Sequence, residues 1–200
     1  MGSEFLVYLR LGFEHIADIN GYDHVLFITA LCAVYALRQW RQVLWLVTAF
    51  TVGHSITLAL ATLRLVTIND TLVEVLIPVT IFVTSVINIL EADETEHRFQ
   101  ESKRARRSKY GLALAFGLIH GLGFSNFLRS ILGAEESLFI PLLAFNLGLE
   151  AGQVVILFFV LLLSLAMIRL VKMTRYAWIL VLSGATAGVA LTMIVDRLWG

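Results

Sequence analysis

Residues 138–168 read LFIPLLAFNLGLEAGQVVILFFVLLLSLAMI, thirty-one residues with one ionisable side chain, Glu150. About twenty predominantly apolar residues are enough for a helix to cross the hydrocarbon core of a bilayer. This run exceeds that length and predicts a tilted or broken membrane helix. Lipid offers no partner for backbone N–H and C=O groups, so only helices and closed barrels can cross it. Barrel strands would read as alternating segments of about ten residues, whereas here the apolar residues run on without alternation. Asn146, Glu150 and Gln153, the polar residues in the first half of the run, fall at i, i+4 and i+7, on one stripe of a helix.

The rest of the chain repeats that pattern. Of 200 residues, 58% are hydrophobic and 15% charged, with a mean hydropathy of +0.84, whereas soluble domains are about 45–50% apolar and about 25% charged. Further spans are predicted over residues 24–37, 43–63, 72–90, 110–128 and 176–195. Residues 5–19 are interrupted by Arg10, Glu14, His15 and Asp18, which predicts a helix lying at the interface or partly inserted. The expected fold is all-α: a polytopic membrane bundle forming one domain over residues 1–200, with six transmembrane helices, or seven if the N-terminal segment crosses. No cleavable signal segment is evident. Basic residues favour the cytoplasmic side. Arg38 and Arg41, the charged loop 91–109, and Arg169, Lys172 and Arg175 are therefore expected there, with the Asp23–His24 end of the first span outside. A formal charge of zero gives no argument for nucleic acid, and the lone Cys32 allows neither an intrachain disulfide nor a thiolate cluster.

Against this background residues 12–24, GFEHIADINGYDH, place two histidines and three carboxylates at the head of an apolar chain. Ionisable groups inside a membrane are costly unless used or paired. His54 lies roughly 16 Å from the inner end of its span at about 1.5 Å per residue. His120 and Glu150 lie at similar depth, with Asn146, Glu74 and His24 nearer the outside. A metal site is expected from Asp23, His24, His54 and His120, with Glu150 and Asn146 as second ligands or path residues. Thr51, Ser55 and Gln153 would support the ligands, and His15 and Glu74 would line the path. Imidazole with carboxylate suits nickel, cobalt, zinc or iron and disfavours copper(I). The plainer alternatives are that each histidine only hydrogen-bonds between helices, that Glu74 snorkels, and that His97 is solvated. Such a site could be structural, transporting or catalytic. His54 then Glu74, and His120 then Glu150, stand 20 and 30 residues apart, which hints at an internal repeat.

The segments Gly12–Ile16, Gly21–Phe27, Phe50–Leu58, Val73–Glu74, Phe116–Phe124 and Phe145–Gln153, in this order and spacing, resemble the HupE/UreJ family of membrane proteins in its shorter branch. The resemblance implies a nickel or cobalt permease of the bacterial inner membrane, linked to hydrogenase and urease maturation. Its partners would be the lipid bilayer, the metal ion, metalloenzyme-maturation proteins or a second copy of the chain. A looser resemblance is to the zinc-dependent intramembrane hydrolases of the alkaline ceramidase superfamily. That analogy would use His24, His54 and His120 for zinc, with Asp23 and Ser55 catalytic, on a lipid or peptide bond. Zinc with an open position generates hydroxide near neutral pH. Transport of a divalent ion is the leading expectation, the hydrolase its alternative, and a metal-stabilised scaffold a third.

Overall fold

The computed structural model describes residues 2–18, 21–66, 69–93, 103–132 and 138–199, and among them the regular structure is entirely helical. The helices are α1 (Gly2–Ala17), α2 (Asp23–Cys32), α3 (Trp40–Thr62, preceded by a 3-10 turn at Leu37–Gln39), α4 (Asp70–Leu90), α5 (Lys103–Gly123), α6 (Ser125–Leu132), α7 (Phe139–Arg169) and α8 (Arg175–Trp199). Four are long and apolar enough to cross a membrane: α3 with its preceding turn, α4, α7 and α8. Trp45, Phe158, Phe159 and Leu163 stand 66, 56, 61 and 46% exposed on α3 and α7. In water that would be an unusually large apolar patch; in lipid it is the ordinary outer surface.

The expected spans depart from the observed helices in three places. The span predicted over 24–37 is a helix of only ten residues, about 15 Å long, which ends at Cys32. Ala33, Val34 and Tyr35 follow as a buried non-helical connection, apolar enough in sequence to read as more helix. The span predicted over 110–128 starts earlier, at Lys103, and breaks after Gly123 into α6. The N-terminal segment is not laid flat on the bundle. It is a 16-residue helix with Tyr8 and Ile16 buried, packed against α7. Within the expected charged loop 91–109, residues 94–102, including His97, lie outside the described residues, and Lys103–Lys109 form the first turns of α5.

Local chemistry explains several boundaries. The Asn69 side chain accepts from Leu72 N at 3.3 Å and caps α4. Asp23 places a carboxylate in the first turn of α2, where the helix dipole favours it. The basic segments meet at one end of the bundle. The Arg175 guanidinium donates to Val34 O at 2.6 Å and Gln39 Oε1 at 3.1 Å, and Lys109 pairs with Glu91 at 3.1 Å. Arg41 and Arg106 line a shared cavity.

Candidate metal centre

Four histidines converge from four helices. His15 comes from the last turn of α1, His24 from the first turn of α2, His54 from the middle of α3 and His120 from the last turn of α5. The His24 ring is central: its centroid lies 4.7 Å from His15, 5.7 Å from His54 and 5.2 Å from His120. His15 and His54 are 6.0 Å apart. Phe27 and Phe50 wall the cluster on one side, with rings 5.2 and 5.1 Å from His120. Phe124 lies 3.7 Å from His15 on another.

Two neighbours fix which nitrogens carry a proton and which keep a lone pair. Asp23 Oδ1 accepts from the His24 backbone N–H at 2.8 Å and lies 2.9 Å from Nδ1 of the same residue. A carboxylate accepts, so the His24 proton sits on Nδ1 and the lone pair on Nε2. Thr80 Oγ1 donates its one proton to Ile77 O at 2.7 Å and lies 2.8 Å from His120 Nε2. Its hydroxyl can then only accept from His120 Nε2–H, which leaves the lone pair on Nδ1. Both arrangements follow the usual rule that a metal-binding imidazole donates its other N–H to an oxygen. Among the described residues, His15 Nε2, His24 Nε2, both nitrogens of His54 and His120 Nδ1 are buried without a hydrogen-bond partner. One ligand atom from each of Asp23, His24 and His120 lies within 4.8 Å of the others.

The cluster therefore gathers Asp23, His24, His54 and His120 from the expected set and adds His15, which had been expected only on the path. Asn146, Glu150 and Gln153 stand beside it in a separate polar seam between α3 and α7. There Ser55 donates to Asn146 Oδ1 at 2.7 Å, Thr48 to Glu150 Oε1 at 2.8 Å and Thr51 to Gln153 Oε1 at 2.6 Å. Glu74 is on an exposed face, paired with Arg197 at 3.2 Å, and does not reach the cluster. An open cavity of about 680 Å³ leads to His15 and is lined by Glu14, Asp18, Phe124 and Phe127. Sequence reasoning missed Thr80. Its one signal was a hydroxyl two residues after Pro78 in an apolar helix.

A bundle with membrane-length helices and a buried His/Asp group able to hold a metal ion defines the class, an integral membrane protein with a candidate metal centre. The chain belongs to the HupE / UreJ family: the family model described as HupE / UreJ protein matches residues 1–197. No curated protein and no solved structure matches it.

Proposed function

We propose that the protein carries a divalent transition-metal ion of the nickel or cobalt type across the bacterial inner membrane. His15, His24, His54 and His120 would bind the ion, and Asp23 would orient His24 or join it as a ligand. The observation that carries this reading is the set of buried, unpartnered nitrogens on four histidine rings, three of which lie 4.7–5.7 Å from the His24 ring. A buried polar atom without a partner costs about 1–3 kcal/mol. Histidines serving only as bonds between helices would have found acceptors. A borderline metal ion satisfies several of these nitrogens at once, and imidazole is its common ligand. The open cavity with Glu14 and Asp18 at its rim supports entry on the His15 side, where carboxylates attract a cation. The shared end of the basic segments supports placing that end in the cytoplasm.

The hydrolase reading asks Ser55 to hold a water or an oxyanion. The Ser55 hydroxyl instead serves Thr51 O and Asn146 Oδ1, both at 2.7 Å, which favours transport. The test is uptake of radioactive nickel or cobalt into proteoliposomes by the wild type and by His54→Ala and His120→Ala. Uptake by the wild type and loss in both variants is expected. A zinc ion that survives dialysis, with no flux of any divalent ion, would overturn transport.

A further inference from the structure

Two helix crossings in the bundle are built alike. Where α1 meets α7, a Cβ on Gly12 would strike the Phe145 carbonyl, and one on Gly148 the Leu9 carbonyl. Where α5 meets α3, a Cβ on Gly117 would strike the Phe50 carbonyl, and one on Gly53 the Leu114 carbonyl. In both crossings each glycine meets the residue three positions before the other glycine. Smaller contacts agree: Phe13 N lies 3.0 Å from the Cβ position of Gly148, and Leu118 N lies 2.9 Å from that of Gly53. This register equates Gly12-Phe13-Glu14-His15 with Gly117-Leu118-Ile119-His120, and Phe50–Gly53 with Phe145–Gly148. It replaces the repeat hinted at in the sequence: His120 corresponds to His15, not to His54.

The same register extends to whole halves. Helices α1–α4 and α5–α8 each run as a first helix, a short helix of ten or eight residues, and two long helices. Each turn between the third and fourth helix holds one of the two positive-φ non-glycine residues among those described, Arg64 and Lys172, both at φ 58°. Equivalent helices run antiparallel. Ser55, late in α3, meets Asn146, early in α7, while Thr48 and Thr51 meet Glu150 and Gln153. Glu74 and Ser85 of α4 meet Arg197 and Thr186 of α8. Antiparallel equivalents relate the halves by an axis perpendicular to the helices, which is an inverted repeat.

Cavities approach the bundle from more than one direction: one of about 680 Å³ reaches His15, and at the basic end one of about 380 Å³ lies against Arg41 and Arg106 and a narrow one of about 40 Å³ lies between Leu31, Asn88, Lys109 and Leu112. In an inverted repeat, exchanging the conformations of the two halves exchanges which end is open. We propose that the chain is an inverted repeat with exchanged first helices. Its histidine cluster then lies between two glycine-locked pairs, α1/α7 and α3/α5, and opens alternately to the two membrane faces. The second part rests on the transport reading above. In this architecture α1 and α2 run toward the same end and together make one broken crossing, so the chain crosses six times.

The repeat is tested by single cysteines at Glu4 and Ser108 in a Cys32→Ala background, labelled from each face of oriented vesicles. Labelling from opposite faces is expected, because α1 and α5 are inverted equivalents; labelling from the same face would overturn the repeat. Alternation is tested by Phe127→Cys at the wide cavity and Leu112→Cys at the narrow one, labelled with and without nickel. The two rates should move in opposite directions, each by about threefold or more if nickel prefers one state. Rates that do not move, or move together, overturn alternation even where wild-type flux is intact. Reciprocal labelling without flux would support alternation and overturn transport itself.

Discussion

Thr80 is the most informative residue to perturb, because it touches the cluster through one hydrogen bond. In Thr80→Val the acceptor for His120 Nε2–H disappears while the shape of the side chain is kept. The ring is then free to move its proton to Nδ1. Metal binding at Nδ1 forces the proton back to Nε2, where it has no acceptor. An unsatisfied buried N–H costs about 1–3 kcal/mol, which is a loss of about 5- to 150-fold in affinity. That brackets the loss of about 10–100-fold usual when the oxygen partner of a metal-binding imidazole is removed. Titration calorimetry of nickel into the purified protein measures it directly. Thr80→Ser should recover the affinity. Thr84→Val is the control, since the Thr84 hydroxyl donates to Thr80 O, at 2.8 Å within its own helix. Wild-type affinity in Thr80→Val would refute the assigned nitrogen orientation.

Three further outcomes follow from the geometry. Alanine at Gly53 or Gly117 drives a Cβ into a facing carbonyl and should cost about 1–3 kcal/mol or more. Alanine at Gly111, Gly184 or Gly188, where nothing lies within 4 Å, should be tolerated, and thermal unfolding in detergent separates the two groups. In transport, Glu150→Gln should abolish nickel uptake by removing the charge from the α3/α7 seam, while Ser55→Ala should only weaken it; proteoliposome flux measures both. For sidedness, a cysteine at Asp70 should react with an impermeant thiol reagent in intact spheroplasts, and one at Arg107 only after the cells are opened.

Long apolar runs made α3, α4, α7 and α8 legible, because length and hydropathy alone decide a membrane helix. The end of α2 was not legible. Ala33–Tyr35 is apolar and buried, so nothing in its composition marks a break. Depth along a helix placed His54 and His120 at one level but set His24 nearer the outside, whereas the three rings lie together. It could not place Glu74, because depth gives height and not direction; that residue turns outward to Arg197. Thr80 was hidden because a helical hydroxyl normally bonds its own backbone, as Thr84 and Ser85 do. The repeat was misread because polar residues were compared. Its register is carried by glycines that let two backbones touch, a property visible only once the partner helices are known.

X-ray absorption at the metal edge, on protein loaded with nickel or zinc and on the His15, His24, His54 and His120 alanine variants, tests the central claim most directly. The account predicts one bound ion ligated mainly by imidazole, with metal–nitrogen distances of about 2.0–2.1 Å for zinc. Loss of that scattering is expected when His54 or His120 is replaced. A bound ion with oxygen ligands only, or full occupancy in both of those variants, would contradict it.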